Sequence, residues 1–356
     1  MVRTRHMRIF VISILIMLVY STAILGQEDG KETGIEISSR AYLQYMKQTK
    51  VQDDEKKLDS FQVKRVYLTF QKKLDSTWSM RVTTDVGQVD STGEFTIPKD
   101  GISSGVPGPG GYDGETSSSS DSYALFLKYA YLQGKKDLGP LSAKLRFGVV
   151  GTPIVGYSNG ASDFRWVTNN YIDLANHILV NTSGSPQDID NSADAGVRLD
   201  LELMKVVTVS GMYSNGDGYK KVDEPGSNGK AVHGMIKITP FEGLNFLGYY
   251  KNEVTSESAY ADNYNMYYGG GVSYSSNLIK IGVNYILPKV EDAGVKTVDH
   301  AYLVDSWIHM NLNSVAGVPV LIMGRYAFAE NDRASEVLNN DTRITIWAAG
   351  LGYQLT

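Results

Sequence analysis

The 356-residue chain predicts an all-β fold, a closed antiparallel up-and-down transmembrane β-barrel of about 14 strands, on three observations. Stretch after stretch alternates apolar and polar side chains with a period of two, each about ten residues long, the length a tilted strand needs to cross a bilayer. The connections alternate short and long, as tight turns on one rim and long loops on the other require. After residue 26 no apolar run reaches the roughly 20 residues of a spanning helix. Lipid offers the backbone no water, so strands that cross it close into a ring that leaves no edge unpaired.

Residues 1–26 read as a signal peptide and 27–356 as the barrel domain. Arg3, Arg5, His6 and Arg8 precede an apolar run from Ile9 to Leu25, and polar residues follow at Gln27, Glu28 and Asp29. Cleavage is expected after Gly26, with Ala23 as the alternative. The other reading is an uncleaved anchor helix, because the run approaches the spanning minimum. With no cysteine at the boundary, a lipoprotein is excluded. Three arginines and no acids leave with the leader, so the net charge falls from −5 to −8.

Strands are expected near 35–47, 60–71, 77–88, 122–133, 141–149, 194–203, 205–213, 231–239, 244–254, 265–274, 278–287, 301–310, 317–328 and 343–355. Trp78, Met80, Val82 and Val86 oppose Ser79, Arg81, Thr83 and Asp85. Leu141, Ala143, Leu145, Phe147 and Val149 oppose Ser142, Lys144, Arg146 and Gly148. Val197, Leu199 and Leu201 oppose Arg198, Asp200 and Glu202, while Ile279, Ile281, Val283 and Tyr285 oppose Lys280, Gly282 and Asn284. Each strand therefore has one dry and one wet face. Short connections such as 72–77, 134–140, 240–243 and 275–277 alternate with long ones at 48–59, 89–121, 150–193, 214–230, 255–264, 288–300 and 329–342. With an even strand count and the first strand rising from the periplasm, both termini face the periplasm. Tyr45, Tyr123, Tyr131, Tyr213, Tyr250, Tyr274, Tyr285, Tyr326 and Tyr353 lie near strand ends and suit interfacial girdles, although tyrosine favours strands in general. The Gly- and Ser-rich stretch 93–120 reads as a surface loop.

If the dry faces meet lipid, the wet faces line an interior. On this register Arg40, Arg65, Arg81, Lys128, Lys144, Arg146, Arg198, Lys237, Lys251, Lys280 and Arg325 point inward, against Glu36, Asp85, Asp200, Glu202 and Asp305. Basic groups lead by about two to one, and rings of Lys and Arg favour anions in a pore. The competing reading pairs these charges with one another across strands, without selectivity. The longest connection, 150–193, carries Phe164, Arg165, Trp166, Tyr171, Ile172, Leu174, Ile178 and Leu179. So apolar a loop is expected to fold into or across the barrel as its third loop, with Arg165 at a constriction; a short helix on the rim is the alternative.

The absence of cysteine removes disulfide, thiolate-metal and Cys-nucleophile chemistry. No GxSxG, HExxH or GxxxxGK[ST] pattern occurs, His177, His233, His300 and His309 are scattered, and the acidic balance gives no reason to expect nucleic acid. No enzyme activity and no cofactor are expected. Asp188, Asp190, Asn191 and Asp194 form an oxygen-rich stretch that reads as a calcium site or, more simply, a solvated loop.

The stretches FQVKRVYLTFQKKLDSTWSMRVTTDVGQ (61–88), LRFGVVGTP (145–153) and DAGVRLDLELMKVVTVSGMYSNGDGY (194–219) resemble the outer-membrane porins of the phosphate-selective porin O and P type. The resemblance covers about half the chain beyond the leader. It implies a passive diffusion channel with an inward third loop, often trimeric and anion-preferring. Such barrels have up to about 16 strands, which would place a further hairpin within 150–193. They also tend to end in an aromatic residue, whereas this chain ends Tyr353, Gln354, Leu355, Thr356. The family's arginine ladder does not map residue by residue, so phosphate selectivity does not carry over. The expected function is thus a water-filled diffusion channel for small hydrophilic or anionic solutes, in the outer membrane of a didermal bacterium and in contact with its lipid. A homotrimer is the implied assembly. The alternative is a non-conducting barrel with adhesive or structural surface loops.

Overall fold

A computed structural model describes residues 11–14, 20–25, 34–48, 59–89, 95–96, 122–162, 190–216, 218–219, 229–254, 264–292, 295–298, 300–313, 317–318, 320–332 and 342–353. Fourteen long strands appear where the alternation predicts them. They are β1 (Ile35–Gln48), β2 (Asp59–Lys73), β3 (Trp78–Val89), β4 (Ser122–Leu138), β5 (Leu141–Gly151), β6 (Ala193–Leu203) and β7 (Val207–Ser214). The series continues with β8 (Lys230–Phe241), β9 (Leu244–Val254), β10 (Tyr264–Ser275), β11 (Ile279–Asp292), β12 (His300–Asn311), β13 (Val320–Asp332) and β14 (Thr342–Tyr353).

Each strand pairs antiparallel with the next, in one unbroken meander from β1 to β14. Val11–Ile14 and Tyr20–Leu25, from the segment read as a leader, lie along the remaining edge of β1. The short connections are true hairpin turns. Met204 and Lys205 both adopt positive φ (52° and 60°) between β6 and β7, the two-residue geometry whose twist matches the flanking strands. Between β2 and β3, the backbone amides of Thr77 and Trp78 both donate to Asp75 Oδ1 at 2.7 Å.

The two faces of the sheet are inverted relative to a water-soluble protein. Phe147 (66% exposed), Trp347 (72%), Leu125, Val209 and Ile281 stand out on one face, while Asp85 (0%), Lys128 (2%), Lys251 and Asp305 are buried on the other. Charged side chains are almost never buried unless they are paired, and here they are, so the charged face is the enclosed one. No helix among the described residues is long and apolar enough to cross a membrane.

One helix follows β5: α1 (Pro153–Ser162). Proline suits its first turn, where no N–H is needed. It packs on the charge-bearing face, reaching β7, β8, β11 and β12 rather than the strands that flank β5. Ile154 and Val155 sit among Met235, Leu247, Tyr249, Tyr267, Ile286 and Leu303. Burying two such side chains contributes about 1.5–3 kcal/mol each. Tyr157 Oη and Ser273 Oγ, 2.8 Å apart, form a hydrogen bond at the same contact.

Residues 163–189, most of the segment in which a further hairpin is expected, lie outside the described residues. One sequence expectation changes. Tyr131 is no girdle residue: it pairs across with Arg81 and lies beside Arg146 on the enclosed face.

Candidate functional site

The enclosed face of β1 to β7 carries acids each gripped by two cations. Asp85 Oδ2 accepts from Arg65 Nη1 at 3.0 Å and from Lys128 Nζ at 3.4 Å. Lys128 also donates to Tyr67 Oη (3.3 Å) and lies 4.8 and 5.1 Å from the ring centroids of Tyr67 and Tyr219. Lys128 follows the alternation from Phe126, which pairs with Asp85; Thr83 then pairs with Tyr129 and Thr84 with Leu127, so one extra residue in β4 brings Tyr129 and Tyr131 to the same enclosed face after it.

Two strands on, Asp200 accepts from Arg146 Nη1 (2.7 Å), Arg198 Nε (2.9 Å) and Ser210 Oγ (2.5 Å). Arg146 also donates from Nε to Gln133 Oε1, and Arg198 from Nη1 to the carbonyl of Gly151, where β5 gives way to α1. Two further cations on this face make no ion pair among the described residues: Arg81, whose Nε donates to Thr83 Oγ1 at 3.0 Å, and Lys144, which stands opposite Asp200 in the ladder; Lys237, on β8, makes none either.

On the opposite wall two cations are each matched by one acid. Arg325 Nε donates to Asp305 Oδ1 at 2.6 Å with both side chains 2% exposed, and Lys251 pairs with Glu253 at 2.5 Å. Lys280 faces His309 across β11 and β12 on the same side. Arg165 lies outside the described residues.

The return leg of the long connection is fastened to this wall. Tyr267 Oη donates to Asp190 Oδ2 at 2.5 Å, with His233 Nδ1 4.0 Å from the same oxygen. Full burial pushes the Asp190 carboxyl up to about 7, against the pull of Lys251 and the Tyr267 hydrogen bond. Asp194 accepts from the amides of Ala195 and Gly216, and Thr152 Oγ1 donates to the carbonyl of Asn191 at 2.6 Å. The oxygen-rich stretch is thus engaged in clasping the loop base; Asp188 lies outside the described residues. No group of three or more His, Asp or Glu able to hold a metal occurs among the described residues. Sequence reasoning missed Tyr267 and His233, which stand on different strands and come together only through the register.

No family model matches the sequence, and no curated protein does. Solved structures do. OmpF of Salmonella typhi, solved in complex with daunomycin, is 8% identical with a TM-score of 0.56 over 91% of this chain and 87% of that one. OmpT, an outer membrane protein of Vibrio cholerae in its in-vitro folded trimer form, is 11% identical with a TM-score of 0.53 over 90% of this chain and 84% of that one. Its variant lacking loop L8 gives 12% and 0.52, over 90% and 89%. At these identities the likeness is one of fold: the chain shares the antiparallel up-and-down β-barrel of these outer-membrane proteins.

Proposed function

We propose that this chain is an outer-membrane porin, a water-filled passive diffusion channel for small hydrophilic solutes with a weak preference for anions. The carrying observation is the unequal charge of the two walls. On β1 to β7, Asp85 and Asp200 each hold two cations and Arg81 and Lys144 add positive charge without an ion pair of their own, whereas on the wall under α1 Arg325 and Lys251 are each matched by one acid, Asp305 and Glu253. A bore narrowed by α1 from the matched side leaves permeating ions next to the positive one. Phosphate selectivity in particular has no such support.

Export through a cleaved leader at 1–26 belongs to the same reading. Val11–Ile14 and Tyr20–Leu25 occupy the β1 edge that ring closure assigns to β14, and their removal frees it. A homotrimer, as in the OmpT form described above, completes the proposal; light scattering of the detergent-solubilised protein counts the protomers.

Conductance of the purified, heat-modifiable protein in a planar bilayer tests the channel. Discrete openings are expected, and their absence from folded protein overturns the reading. Reversal potential in a KCl gradient is expected on the chloride side of zero; a cation-side value removes the anion preference.

A further inference from the structure

We propose that the enclosed face of β3, β4 and β5 holds a binding subsite for a small aromatic carboxylate, with Tyr131 as its floor and Arg81, Lys144 and Arg146 as its charged rim. The inference rests on the porin reading and names a solute class for it.

Tyr131 stands directly opposite Arg81 in the ladder, and the guanidinium carbon of Arg146 lies 5.8 Å from the centre of its ring. Toward β5 and β6 the next two positions in the same row are Gly148 and Gly196, which bring no side chain of their own to that flank of the ring, while Arg198 reaches past them to the carbonyl of Gly151 and adds a further cation beside it. The cations keep bonding capacity in hand. Among the described residues Arg81 commits only Nε, to Thr83; Arg146 commits Nε and Nη1, leaving Nη2; and Lys144 makes no hydrogen bond or ion pair. Tyr131, Arg81, Lys144 and Arg146 are all partly exposed, unlike Arg65, Lys128 and Asp85 nearby, which are sealed from any solute.

A carboxylate bonds the planar edge of a guanidinium, and a flat ring attached to it stacks on a tyrosine face whose borders are cationic. Inorganic anions use only the charges. A saturated carboxylate of similar size lacks the flat face.

The test adds benzoate, cyclohexanecarboxylate or inorganic phosphate to the full-length channel in KCl and reads the concentration that halves the current. Benzoate is expected to act at a concentration about three- to tenfold lower than cyclohexanecarboxylate, the range stacking supplies. Tyr131→Leu brings that ratio to one and Tyr131→Phe retains it, while Arg146→Gln weakens both carboxylates together. A wild-type ratio of one, or phosphate acting more strongly than benzoate, overturns the subsite and leaves the porin reading intact; the wild-type ratio needs no variant to fold. Folded protein without KCl conductance ends the porin reading and the subsite with it.

Discussion

Tyr267 of β10 donates its hydroxyl to Asp190, 77 residues earlier in the chain, and thereby ties the end of the long third connection to the far wall of the barrel. The carboxyl sits at about 7, raised by burial above its ordinary 3.8. Between those values the folded protein holds a proton that the unfolded chain has released, so stability is greatest below about pH 4 and declines as pH rises to about 7. The full window is worth on the order of 4 kcal/mol. His233, Lys251 and Glu253 face the same carboxyl. Asp190→Asn keeps an acceptor for Tyr267 and removes the titration. The temperature of the gel mobility shift, measured from pH 4 to 7.5, is expected to fall in the wild type and to stay level across that window in Asp190→Asn.

Arg325 and Asp305 are buried together, each 2% exposed. Removing one partner strands the other without water, which costs about 3–5 kcal/mol, whereas exchanging both for apolar residues of similar size is near neutral. Urea unfolding in lipid vesicles is expected to show that loss for Asp305→Ala, and recovery of most of it in Asp305→Leu with Arg325→Met. Equal losses in the single and double variants would refute a paired role.

The ring of Trp307 lies over Gly282, where a Cβ would come within 2.4 Å of Cζ2. Trp307 packs in turn with Met323 and Ala161 of α1. Gly282→Ala therefore lifts the indole and presses on the helix, at an overpacking cost of about 1–3 kcal/mol. Single-channel conductance is expected to drop, because the displaced ring and helix move into the bore; unchanged conductance would place Trp307 away from the permeation path.

The fourteen strands were legible because a sheet between lipid and an enclosed face writes its period into every crossing, and the loop lengths gave its direction. The parity of Arg65, Arg146 and Arg325 came from the same alternation. Tyr131 shows where parity stops being local: the bulge that turns it inward is a property of two strands, visible only in the offset between Thr83–Thr84 and Leu127–Tyr129. The helix was legible only as the alternative of a short helix on the rim, and its exact place was not, for a different reason. PIVGYSNGAS is poor in helix formers, and its stability comes from Ile154 and Val155 meeting the β8–β12 wall, which no propensity records. Tyr267 and His233 carried no signal in the chain, since their partner Asp190 lies far away in sequence.

Asp200 decides how much of the positive wall a permeating ion meets. It neutralises one of the two arginines that donate to it, Arg146 and Arg198, with Lys144 next to Arg146 on the same face. Asp200→Asn keeps an acceptor for Ser210 and deletes the charge. In a water-filled bore, one unit charge at about 7 Å changes an ion's energy by about 0.6 kcal/mol, close to threefold in occupancy, and it acts with opposite sign on anion and cation. The chloride-to-potassium permeability ratio is therefore expected to rise at least about threefold at 0.1 M KCl. At 1 M the Debye length shrinks to about 3 Å and the change is expected to vanish. Arg81→Gln moves the ratio the other way under the same conditions. Reversal potentials at both salt concentrations check all three expectations, and a ratio indifferent to Asp200 at low salt would mean that permeating ions do not pass this wall.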